Sequence, residues 1–108
     1  PREIQVVIDV NNNLFISVGT PGFVSFMGQE DELHDREKPM TLPIACWIHT
    51  HPFGKAYFSG TDWRTIRNWE MLMDSAVVLG DNQKMLWTKE NKQHTLFYQN
   101  GQLVVEEE

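Results

Sequence analysis

The chain has 108 residues, enough for one domain with one core, and its 41% hydrophobic and 22% charged content is that of a soluble globular protein rather than a disordered or membrane chain. A net charge of −6 argues against a dedicated nucleic-acid surface and against an anionic membrane as partner. Cys46 is the one cysteine, which excludes an intrachain disulfide. No apolar run approaches the roughly 20 residues of a membrane-spanning helix, and "PREIQVV" lacks the layout of a signal peptide. The expectation is a single cytoplasmic domain over residues 1–108, with a start at Pro1 that is compatible with a trimmed terminus, a matured terminus or a fragment of a longer chain.

In chain order, "EIQVVIDV" alternates. Ile4, Val6, Ile8 and Val10 point one way, and Glu3, Gln5, Val7 and Asp9 the other, a strand with one apolar face. Asn11 to Asn13 are turn residues, because asparagine tolerates positive φ, and "LFISV" reads as the returning strand of a hairpin. "GTPG" breaks it, and "FVSFM" has the composition of a further short strand. The run "EDELHDREK", Glu30 to Lys38, is too charged for a buried element and reads as a solvated loop or insertion. "IACWIHTH" is β-branched and aromatic, a buried strand that Pro52 ends. The period then changes: Ile66, Trp69 and Met73 fall on one helical stripe, with Leu72 beside it, and Ser59 or Thr61 can cap the start. "SAVVLG", "KMLW" and "HTLFY" are short strands, and Asn100-Gly101 signals a hairpin that "LVV" completes. The sum is a mixed α/β domain on one sheet, with a helix after the "WIHTH" strand.

Residues i and i+2 of a strand share a face, so His49 and His51 can reach one ion. Neutral imidazole suits zinc, and two nitrogens supply half of a tetrahedral shell. One helical turn before Ile66 lies Asp62, on the stripe that faces the sheet and near the positive end of the helix dipole. Two nitrogens and one carboxylate leave a fourth position for water, the arrangement of a catalytic zinc site. The same Ser59 and Asp62, at S-x-x-D spacing, also form an ordinary capping pair. Cys46 alternates away from the face of His49 and reads as packing; His34 and His94 lie in polar stretches; Trp47, Trp63, Trp69 and Trp87 read as core or domain-edge packing.

Taken whole, "HTHPFGKAYFSGTD" is H-x-H, seven residues, Ser, two residues, Asp. It is similar to the JAMM (MPN+) motif of zinc metalloproteases that cleave ubiquitin and ubiquitin-like conjugates, and "WIHTHP" and "FSGTDW" match the surrounding pattern over roughly residues 44 to 66. The resemblance implies a minimal MPN-type, cytidine-deaminase-like domain with a mixed sheet. It implies one zinc per chain held by His49, His51 and Asp62, Ser59 as oxyanion donor, and an upstream glutamate as general base. Glu3 opens a strand at a family-like distance before His49; Glu30 and Glu32 come later, in the charged run. The chain departs from the family in that only Pro1 and Arg2 precede Glu3 and the glycines that usually follow the glutamate are absent. A base from upstream residues or from a partner subunit, or an inactive domain, therefore stays open. Tyr57 and Phe58, between the ligands, are candidates for lining a substrate groove, with packing as the alternative. The implied activity is that of a deubiquitinase-like isopeptidase acting after the C-terminal tail of a ubiquitin-like or sulfur-carrier-like protein. Extended tails often bind by adding a strand beside a sheet edge. The other reading is a non-catalytic scaffold of the same family.

Overall fold

A computed structural model describes residues 3–18, 40–51, 54–91 and 94–105. The segment "FVSFM", the charged run with Glu30, Glu32 and His34, Pro52 and the terminal "EEE" lie outside the described residues. Along the chain run β1 (Ile4–Asp9), β2 (Leu14–Val18), β3 (Ile44–Thr50), α1 (Gly60–Trp69), β4 (Ser75–Gly80), β5 (Gln83–Thr88), β6 (Leu96–Gln99) and β7 (Gln102–Val104). The strands form one sheet in the order β2-β1-β3-β4-β5-β6-β7. β3 and β4 are parallel, with α1 in the crossover between them, and the other neighbours pair antiparallel. A parallel pair needs such a crossover, whereas the hairpins need only tight turns. Asparagine supplies those turns: Asn12, Asn82 and Asn100 have φ of 64°, 56° and 52°. Asn100 and Gly101 (φ 81°) both sit in the left-handed region between the paired Gln99 and Gln102, which suits the twist of the flanking strands. Among the described residues no helix is long and apolar enough to cross a membrane.

α1 starts at a capping box. The Ser59 hydroxyl accepts the Asp62 amide at 3.1 Å, and an Asp62 carboxylate oxygen accepts the Ser59 amide at 2.9 Å. The helix ends sooner than its apolar stripe suggests. After Trp69 the chain tightens into a 3-10 turn, Glu70–Leu72, and Met73 is extended, fully buried and bridged to Ile44 rather than helical. Leu72 is left exposed. The stripe continues to the core in space, but the backbone must leave the helix there to enter β4.

The core lies between α1 and one face of the sheet: Val7, Phe15, Trp47, Ala76, Val78 and Trp87 from strands, with Ile66 from the helix and Phe58 from the loop before it. Trp63 and Trp69 pack against its margin. β1 turns an unexpected face to this core. Its alternation is as the sequence indicates, but the buried residues are Glu3, Gln5, Val7 and Asp9, while Ile4 is 44% exposed. The polar members are satisfied where they lie. Gln5 accepts the Trp47 indole N–H at 2.8 Å. Asp9 accepts the amides of Asn11, Asn13 and Thr41, each at 2.9 Å, pinning the first hairpin to the segment that leads into β3. Burial alone would raise the Asp9 carboxyl, but these donors outweigh it and hold it below the ordinary carboxylate range.

Candidate metal centre

The site forms at the carboxyl end of β3, where the chain leaves the sheet for α1. Trp47 and His49 project inward from β3, and His51 follows just past its end. The imidazole centroids of His49 and His51 are 5.1 Å apart. Asp62, in the first turn of α1 and 6% exposed, brings its carboxylate to both: Oδ2 lies 3.0 Å from Nε2 of His49 and 3.2 Å from Nε2 of His51. One donor atom from each of the three residues lies within 4.8 Å of the others.

His49 carries the strongest chemical signal. It is 0% exposed, yet neither ring nitrogen has an aligned hydrogen bond, despite the short separation from Asp62. A buried polar atom without a partner costs about 1–3 kcal/mol. An ion between the two imidazoles and the carboxylate would satisfy the nitrogens that converge there, so the donor set fits a divalent metal. The electrostatics agree. Burial by itself would raise Asp62, but the two imidazoles and the Ser59 amide hold its carboxyl well below the usual range, keeping it an anion. The hydrogen bond to Asp62 raises the His51 imidazole above its ordinary value, against the opposing effect of burial.

No family model, curated protein or solved structure matches this chain. The geometry is therefore the ground for any functional reading.

Of the residues singled out in the sequence, the structure brings His49, His51, Asp62, Ser59 and Glu3 to one place. The position of Glu3 follows from register: Gln5 pairs with His49 across the antiparallel β1–β3 ladder, so two residues further along Glu3 comes opposite His51. The Ile4 amide donates to the Thr50 hydroxyl at 2.9 Å and ties the strand ends together. Glu3 is 6% exposed, with its Oε1 3.9 Å from Nε2 of His51. Tyr57 is 52% exposed and meets His51 edge-on, with ring centroids 4.9 Å apart. Phe58 is buried in the core, packed on Trp63 and facing His49 from within, so its ring serves packing and not a substrate surface. Cys46 is half-buried off this face, and burial pushes its thiol up, away from nucleophilic use. His94 is exposed, away from the cluster.

Two contributors escape a reading by motif. The Trp47 ring stacks on His49 with centroids 4.5 Å apart and planes 15° from parallel, and Gln5 holds the indole N–H. Together they fix the plane of the buried imidazole. Strand alternation puts Trp47 on the face of His49, so the stack was available to a reading of β3. The Gln5 contact depends on β1–β3 register, which no local pattern encodes.

Proposed function

We propose that this chain is a minimal JAMM-type zinc peptidase or isopeptidase, hydrolysing the amide bond after the C-terminal tail of a ubiquitin-like or sulfur-carrier-like protein. The observation that carries the reading is the convergence of His49, His51 and Asp62 donors within 4.8 Å around a buried imidazole whose nitrogens lack an aligned hydrogen bond. Glu3 lies beside it at 3.9 Å from His51. His49, His51 and Asp62 would hold the metal. Zinc bound there would supply Lewis acidity and would make water a stronger acid near neutral pH. Glu3, whose carboxylate lies beside His51, serves as general base and returns the proton to the leaving amine. The Ser59 hydroxyl accepts from the Asp62 amide, so its own proton is left to donate to the oxyanion. Tyr57 offers an exposed ring to the substrate chain beside His51.

The test combines zinc content with turnover of a ubiquitin-like fusion. The wild type should carry about one zinc per chain. Glu3→Gln should keep zinc and lose activity. Ser59→Gly, a tolerable helix cap without the hydroxyl, should keep zinc and fold while turnover drops by about 10²–10³. His49→Ala should lose the zinc. Stoichiometric zinc persisting in both His49→Ala and Asp62→Ala would remove the metal from these residues, and full activity in Glu3→Gln would remove Glu3 as the base.

A further inference from the structure

His51 is the most exposed of the three donors, and among the described residues no ring stacks flat on it as Trp47 stacks on His49; Tyr57 meets it edge-on and Asp62 faces its Nε2. Its Nδ1 lies 3.3 Å from the Lys55 carbonyl oxygen. A carbonyl only accepts, so this contact keeps the proton on Nδ1 and leaves Nε2, the nitrogen facing Asp62, to offer a lone pair to a metal. Lys55 belongs to an irregular segment, and its carbonyl stays in place only if that segment is anchored.

The anchor is the β4–β5 corner, far from the motif in sequence. The Asp81 amide donates to the Gly54 carbonyl at 2.9 Å, and the Gln83 side-chain oxygen accepts the Ala56 amide at 3.0 Å. These two bonds grip the residues on either side of Lys55. Gly80 lets the segment come that close. A Cβ there would sit 2.5 Å from the Gly54 oxygen, 2.6 Å from the Ala56 nitrogen and 2.8 Å from the Lys55 carbonyl carbon, all backbone atoms that no rotamer change can move aside. The His51 amide donates to the Leu79 carbonyl at 2.8 Å, so the same end of β4 also fixes the backbone of the ligand itself.

We infer that Gly80 and Gln83 are positioning residues for His51: they clamp residues 54–56 so that the Lys55 carbonyl sets the orientation and tautomer of the imidazole. The role as support for a metal rests on the zinc reading above; the clamp on the ring does not. Loss of a ligand's outer hydrogen-bond support typically costs 10–100-fold in metal affinity.

The experiment measures the zinc dissociation constant by competition with a chromophoric chelator. It also records the imidazole nitrogen and proton resonances of His51, with and without zinc, in the wild type, Gln83→Ala, Gln83→Glu and Gly80→Ala. Gln83→Ala should weaken zinc binding about tenfold or more and shift the Nδ1 signals of His51, leaving those of His49 in place. Gln83→Glu, which keeps an oxygen for the Ala56 amide, should restore both. Gly80→Ala should weaken binding further; if it does not fold, the Gln83 pair decides. Zinc affinity within twofold of wild type together with unmoved His51 signals in Gln83→Ala would overturn the proposal. If the wild type takes up no zinc, the metal reading falls, and the His51 signals of the metal-free variants decide the clamp alone: a shift in Gln83→Ala upholds it, and no shift overturns it.

Discussion

The two faces of the sheet reverse the usual division of labour along β1. The face under α1 carries Glu3, Gln5 and Asp9 as well as Val7, and next to them His49 and Trp47. The opposite face carries Ile4, Leu14 and Ile16, which are 44%, 61% and 58% exposed, with Leu79 at 38%. Side-chain polarity alone would put the second set inside. What decides is the partners each face finds. On the covered side every polar residue of β1 has a designated contact: Trp47 for Gln5, the Thr41, Asn11 and Asn13 amides for Asp9, and the His51 ring near Glu3. The covered side also has Trp47 and Trp87, the largest of the fully buried side chains among the described residues. A strand can thus turn its polar face inward when the neighbouring strand brings both the packing mass and the hydrogen bonds.

The comparison can be broken by substitution on either face. Trp47→Ala strikes the covered face where core, hydrogen bond and the stack on His49 meet, and should destabilise by about 3–5 kcal/mol in denaturant unfolding. A loss under about 1 kcal/mol would mean that the face under α1 is not the core. Asp9→Ala leaves three amides without their acceptor and should cost about 1–3 kcal/mol at neutral pH. Its pH dependence has a definite sign. The native Asp9 carboxyl sits below its unfolded value, so its contribution is fully present above about pH 3.9 and is lost as pH falls through the lower native value. The stability gap between wild type and Asp9→Ala should therefore narrow on acidification, and a gap that widens would contradict the hydrogen-bond account. Leu14→Lys probes the open face and should change stability by no more than about 0.5 kcal/mol. A larger loss in unfolding experiments would show that this face is covered in solution.

The sequence made the elements and most of the candidate site legible because both rest on short periods. Strand alternation aligned His49 with His51, and one helical turn aligned Asp62 with Ile66. Asn12 and Asn100 announced turns that need positive φ, and Asn82 proved to make a third. What escaped were quantities set over long separations. The inward orientation of β1 depends on what β3 brings beside it, and the apolar alternation of Ile4, Val6 and Ile8 carries no such information. Met73 kept the helical stripe but lies in extended backbone, because the crossover into β4 had to begin at Glu70. Phe58, adjacent to an exposed Tyr57, went to the core because one step along the chain reverses the side-chain direction. Gly80 read only as the end of the strand "SAVVLG", and Gln83 carried no local signal, since their partners lie in a different loop.

The ladder that brings Glu3 opposite His51 also sets an order in time. The contact between His51 and Asp62 spans 11 residues, whereas the bond from Ile4 to Thr50 that seats Glu3 spans 46. By loop-closure entropy the longer connection costs about 1.3 kcal/mol more to form in an unstructured chain. The three donors can therefore assemble from local structure during folding while the first strand is still searching for its neighbour. On the metal reading proposed above, a chain caught partway would take up the ion before Glu3 arrives beside it.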